Sequence, residues 1–180
     1  MHKILRLKHW QLFLAIIITS FINDFKTDQP SVINEVLTIV EVVVLMGWLI
    51  LTGHELYKIL PPKVDLNFTL FMINSFLCIA AVSSAVIILG EGEYSGQGLV
   101  GLLVCYLMYA YFHLHAFTAK ALRSIELRRK ARFGDYVGEF FLLLFWPVGI
   151  WVLQPRINKI AIKKFGSIKQ EEITIDEFLK

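Results

Sequence analysis

Residues 140–159 read FFLLLFWPVGIWVLQPRINK, an apolar run broken by Pro147 and Gly149, with tryptophans at 146 and 151 and with Arg156 and Lys159 at its end. The uncharged part, Phe140 to Leu153, is fourteen residues long. As a helix it reaches about 21 Å, short of a hydrocarbon core of roughly 30 Å. Pro147 lacks the backbone donor that a continuous helix needs, and Gly149 tolerates an unusual turn. Tryptophan favours the membrane interface, which argues against Trp146 at mid-bilayer. The stretch therefore reads as helix, break, helix: a re-entrant or interfacial segment whose freed backbone groups are buried against other helices.

Loop charge points the same way. Lys and Arg number three ahead of the first apolar run, one after it, two after the second, none after the third and six after the fourth, with six more beyond Leu153. Five crossings would divide them eleven to seven between the two sides. Four crossings and a re-entrant fifth stretch divide them seventeen to one. Because basic loops stay in the cytoplasm, the second threading is the expected one, with both termini cytoplasmic.

Only 18% of the 180 residues are charged and 56% are hydrophobic, against about 25% charged in a soluble domain. The apolar residues come in long blocks, which makes lipid the solvent for most of the chain. Cys78 and Cys105 lie inside such blocks, where packing residues are expected and a disulfide of the secreted type is not. The start has the basic and apolar regions of a signal peptide, but the TSFINDF that follows offers no small-x-small cleavage site, so an uncleaved first helix is expected. The fold class is all-α integral membrane protein. A polytopic domain covers 1–154, with helices at about 7–24, 33–57, 68–89 and 99–118 and the broken segment at 140–153. A cytoplasmic amphipathic and acidic tail, 155–180, follows; in it Ile157, Ile160, Ala161 and Phe165 share a face opposite lysines, the pattern of an interfacial helix.

Several polar residues sit inside the apolar blocks. Asn34, Thr38, Glu41, Thr52 and Glu55 recur along one face of the second helix, which should turn towards protein. Glu41 lies near the helix middle, where an acid costs about 2.5–3.5 kcal/mol on insertion scales and so pairs, protonates or lines a proton or ion path. Asn74, Tyr109 and Thr38 are its expected partners. On the fourth helix Gly101, Cys105, Tyr109 and His113 stack at spacings of four, as an inward-packed face would. The expected topology also gathers His54, Glu55, His113 and His115 near one membrane surface, with His9, Asp135 and Glu139. Such donors can hold a transition metal, or two histidines a haem. Yet His113 and His115 are two apart and point to different sides of a helix, and interfacial histidines also simply bridge headgroups and water. No cofactor is expected outside that alternative.

From Lys120 to Arg132 the chain reads KALRSIELRRKAR. Lys120, Arg123, Arg128, Arg129, Lys130 and Arg132 are expected to prolong the fourth helix along an anionic lipid surface. Nucleic acid is not an expected partner, since no fold for it accompanies the charge.

The opening LKHWQLFL, residues 7–14, and the closing FWPVGIWVLQPRINK, residues 145–159, resemble a group of small bacterial inner-membrane proteins to which no activity is assigned. The resemblance implies a bacterial inner membrane and gives no residue a role. No Walker loop, GxSxG elbow, HExxH pair or dinucleotide fingerprint is present. The first expectation is a non-enzymatic accessory or assembly subunit that meets anionic headgroups and a protein partner or second copy. The alternatives are a small oligomeric proton-coupled or ion-conducting unit centred on Glu41, and a membrane oxidoreductase using the histidines.

Overall fold

A computed structural model of the chain describes residues 9–24, 32–89 and 98–178, and every regular element in them is a helix. These are α1 (His9–Asp24), α2 (Val32–Lys58), α3 (Phe68–Leu89), α4 (Leu99–Leu127), α5 (Phe133–Leu144) and α6 (Trp146–Phe178). Among the described residues three stretches are long and apolar enough to cross a bilayer: Asn34–Lys58, Phe68–Ala85 and Val100–Leu127. They mark the chain as a membrane protein. The described part of α1 has 16 residues, about 24 Å of helix.

Four of the helix ends have a local cause in view. The last turn of α2 tightens as Ile59 N and Leu60 N donate to Leu56 O and Tyr57 O, both at 3.2 Å, and Pro61 and Pro62 stop it. Asn67 caps α3, its Oδ1 accepting from Leu70 N at 3.1 Å. Arg128 closes α4 in the left-handed region, φ 54° and ψ 25°, the usual geometry just past a helix end. Asp135 Oδ2 accepts from Arg132 N at 2.8 Å and ties down the start of α5.

Helices α1, α2, α4, α5 and α6 are each packed on the next, and α6 comes back against α1; α3 flanks α2 and α4. The Phe13 and Trp151 rings meet edge-on at 5.4 Å where α6 touches α1. The core lies in the second halves of α2 and α4 and the first halves of α3 and α6, around Trp48, Leu56, Phe71, Leu114, Leu122, Ile150 and Leu153. Away from it Val36, Val40, Leu102, Leu103, Val104 and Met108 are exposed, the surface of helices immersed in hydrocarbon.

The quoted stretch does break, and at Phe145. Phe145 N donates to Phe141 O at 2.9 Å, and Gly149 N to Phe145 O at 2.9 Å, so the reversal keeps its backbone bonded. Pro147 falls in the first turn of α6, where a missing N–H costs no helical bond. Gly149 has a different task from the one its sequence context implies: it is helical and buried, and a Cβ there would overlap the Leu142 carbonyl. Close approach of α5 and α6, rather than an unusual turn, requires glycine.

Other expectations change. The basic stretch does prolong the fourth helix, as far as Leu127, but one side of it is covered: Ala119, Ala121, Leu122 and Ser124 are buried because α5 packs on α4. α6 continues through Pro155 to Phe178, so no helix end marks 154/155. Its expected interfacial face is turned inward, with Ile157 and Ala161 buried. On α4, Cys105 and Tyr109 are exposed, while His113 of the expected stripe does meet α3, together with Tyr106 and Phe117. The expected helix start near Leu7 and residues 90–97, between the third and fourth expected helices, lie outside the described residues.

Gly149→Ala should destabilise the folded protein by about 3 kcal/mol, the upper end for overpacking, because the obstacle is backbone. Gly138→Ala, at a position with nothing within 4 Å, should be neutral or stabilising by up to about 1 kcal/mol. Unfolding of both variants in detergent micelles decides; equal stability would remove the close approach as a constraint.

Candidate functional site

The densest set of charges lies where α4, α5 and α6 meet. Arg156, ten residues into α6, donates from Nε to Glu126 Oε1 at 3.0 Å and from Nη2 to Glu126 Oε2 at 2.6 Å. The same Nη2 reaches Glu139 Oε1 at 2.8 Å. One guanidinium thus holds the last turn of α4 and the middle of α5, in the fork geometry that suits Arg to carboxylates. Arg123 adds Nη1 to Glu126 Oε2 at 2.9 Å and Nε to Asp135 O at 3.1 Å. Beneath them Ser124 Oγ accepts from Ala131 N at 3.0 Å and fixes the α4–α5 turn. Arg129 forks onto Asp135 at 2.9 and 3.3 Å. The Arg132 N–H and then the Arg129 guanidinium hold the Asp135 carboxyl below the usual carboxylate range.

A groove of about 510 Å³ opens beside this junction. Ile59, Leu60, Pro61, Pro62, Ile125 and Ile160 form its apolar walls, and Glu126, Arg128 and Lys163 its polar lining. The α2–α3 turn supplies one wall because two prolines keep it from continuing α2.

The residues singled out in the sequence are distributed differently. Glu41 is half-buried and accepts a hydrogen bond from Ser20 Oγ of α1 at 2.7 Å, so it ties α1 to α2. Of its expected partners, Asn74 is engaged elsewhere and Tyr109 faces outward. Asn74, fully buried, accepts from Tyr106 OH at 2.8 Å and donates to His113 Nδ1 at 3.2 Å. Tyr109 is 52% exposed. Thr38 Oγ1 donates to Asn34 O at 2.9 Å.

His54, His113 and His115 have separate partners. His54 stands against Phe68 with centroids 5.3 Å apart, and His115 is buried with Nδ1 2.8 Å from Tyr111 O. Glu55 is buried and paired with Lys58 at 2.7 Å. Among the described residues no three of His, Cys, Asp and Glu converge as a metal site. Of the expected lipid-surface set, Arg123 and Arg129 are paired with acids, and Lys120 lies 5.9 Å above the Tyr136 ring. Arg128, Lys130 and Arg132 remain exposed.

Arg156, Glu126 and Lys163 went unmarked in the sequence. Glu126 had a visible signal as the one acid among six basic residues. Arg156 follows a broken apolar stretch directly, and only the reversal at Phe145 shows what it reaches. No protein-family model, curated protein or solved structure matches the chain.

Arg156→Met should cost about 2 kcal/mol, less than the roughly 3–5 kcal/mol of a fully buried pair because the guanidinium is 30% exposed. Glu139→Gln in that background should recover part of the loss, since it removes the stranded carboxylate; unchanged unfolding in Arg156→Met would show that the junction does not hold the helices. The Asp135 contribution has a definite pH sign. Its folded pKa is depressed, so its stabilisation is complete above the unfolded value and fades as pH falls through the folded one. Asp135→Asn should therefore flatten the acid limb of a stability profile, and an identical limb in the variant would argue against this assignment.

Proposed function

We propose that the chain is an integral protein of a bacterial inner membrane, working as a non-enzymatic accessory or assembly subunit. Helices α1 to α4 cross the bilayer. The α5–α6 hairpin enters and leaves on the cytoplasmic side, with both termini in the cytosol. Its partners are anionic headgroups and a protein partner or second copy, met on that face; nucleic acid is not among them.

The observation that carries this reading is the Arg156 bridge. α5 departs a few residues after the end of α4, and Arg156 on the returning helix pairs with Glu126 on the last turn of α4. The chain has come back to the level it left. That return supports the re-entrant threading, under which seventeen of the eighteen Lys and Arg residues share one side. On this side the acids of the junction already hold arginines, while the groove and the exposed Arg128, Lys130, Arg132 and Lys163 face outward. Such a surface suits recognition more than group transfer.

A second reading, the small oligomeric proton-coupled or ion-conducting unit, draws support from Glu41. Its carboxylate is half-buried and joined to a hydroxyl within two apolar helices, a place where an acid is costly unless it is used or bonded.

Membrane-impermeant maleimide should label Lys163→Cys, in a cysteine-free background, only after the inner membrane is permeabilised; labelling in intact spheroplasts would overturn the threading. Purified protein in liposomes should show no pH-driven flux under the first reading. A flux abolished by Glu41→Gln at unchanged expression would replace it with the second.

A further inference from the structure

We propose that the groove between the α2–α3 turn, the end of α4 and α6 is a binding site for one anionic glycerophospholipid. The inference deepens the reading above, since it rests on this face meeting the cytoplasmic leaflet.

Two chemistries meet in the groove. Six apolar side chains, from Ile59 to Pro62 together with Ile125 and Ile160, give walls that suit the glycerol region and the first acyl carbons. Arg128 and Lys163 supply two cations for a phosphodiester, and both are exposed. Neither has an ion-pair partner among the described residues, in contrast to Arg123, Arg129 and Arg156. Arg128 sits in the left-handed conformation that ends α4, so its side chain leaves the helix at the groove.

Glu126 also lines the groove and would repel an anion if free. Its two oxygens accept from Arg156 and Arg123, which neutralises the carboxylate and leaves the lining cationic. A volume of about 510 Å³ falls in the range of ordinary small-ligand clefts, roughly 300–1,000 Å³. It admits a headgroup and the upper part of its chains, with the rest of each chain in the bilayer. Charge complementarity selects an anionic headgroup over a zwitterionic one, and the apolar walls select a lipid over a free phosphate.

Native mass spectrometry of the full-length protein in detergent, titrated with phosphatidylglycerol, phosphatidylcholine or inorganic phosphate, reads this directly. One phosphatidylglycerol should be retained in preference to phosphatidylcholine. Arg128→Gln with Lys163→Gln should weaken it about tenfold or more, at roughly 1 kcal/mol for each cation near the surface. Lys130→Gln with Arg132→Gln, exposed cations outside the lining, should change it less than twofold. Leu60→Trp, which fills the groove without touching charge, should also expel the lipid.

Equal loss in the two paired variants would reduce the site to diffuse surface charge and overturn the proposal. Equal retention of phosphatidylcholine, displacement by inorganic phosphate, or undiminished binding in Leu60→Trp would do the same. Thermal unfolding of each variant keeps a folding defect apart from a lost site. Periplasmic labelling of Lys163→Cys would sink the functional reading while leaving the binding constants intact, so the two failures are separable.

Discussion

Arg156 is the side chain on which the arrangement of the helices turns. Within a bilayer, apolar faces gain nothing by leaving lipid for one another, so helices are held by close packing and by polar contacts. The hairpin of α5 and α6 uses both. Gly149 brings α6 against the backbone of α5 near the reversal, and Arg156 clamps the open end to α4 through Glu126 and Glu139. Between those points Ile150 and Leu153 are buried. Without the clamp, two carboxylates on neighbouring helices would face one another across a poorly solvated junction.

The same clamp shapes the surface beside the junction. By returning α6 to the end of α4, it sets Ile160 and Lys163 opposite the proline turn between α2 and α3, which forms the groove. By neutralising Glu126, it converts a mixed-charge rim into a cationic one. Structural pairing and the charge of this surface are thus two consequences of one set of hydrogen bonds. The arginines divide accordingly: Arg123, Arg129 and Arg156 meet acids, while Arg128 and Arg132 face outward.

The remaining polar groups act as ties inside the bundle. Asn74 joins α3 to α4 through Tyr106 and His113, and Ser20 joins α1 to α2 through Glu41. Each satisfies groups that would otherwise lie unbonded in hydrocarbon. These ties also occupy two of the histidines: His113 is committed to Asn74, and His115 to its own helix at Tyr111. His54 packs against the Phe68 ring, which itself stacks on Tyr57.

Much of the architecture could be read from local pattern. Long apolar blocks, prolines at 61 and 62 and the short broken stretch after Phe140 are properties of neighbouring residues, and they mark where helices run and stop. They also marked a break between Phe140 and Leu153, because length, proline and tryptophan all bear on a single segment. Pairings across helices were another matter. Glu41 was assigned to Asn74 and Tyr109, and the stripe on α4 to Cys105 and Tyr109, yet a rotation of one position along a helix moves a side chain by about 100°. Periodicity shows that a face exists but does not say which helix covers it. Only the folded chain put Ser20 beside Glu41, Arg156 between Glu126 and Glu139, and Lys163 across from Pro61. Those residues lie 17 to 102 positions apart, and nothing local in the chain carries the distance between them.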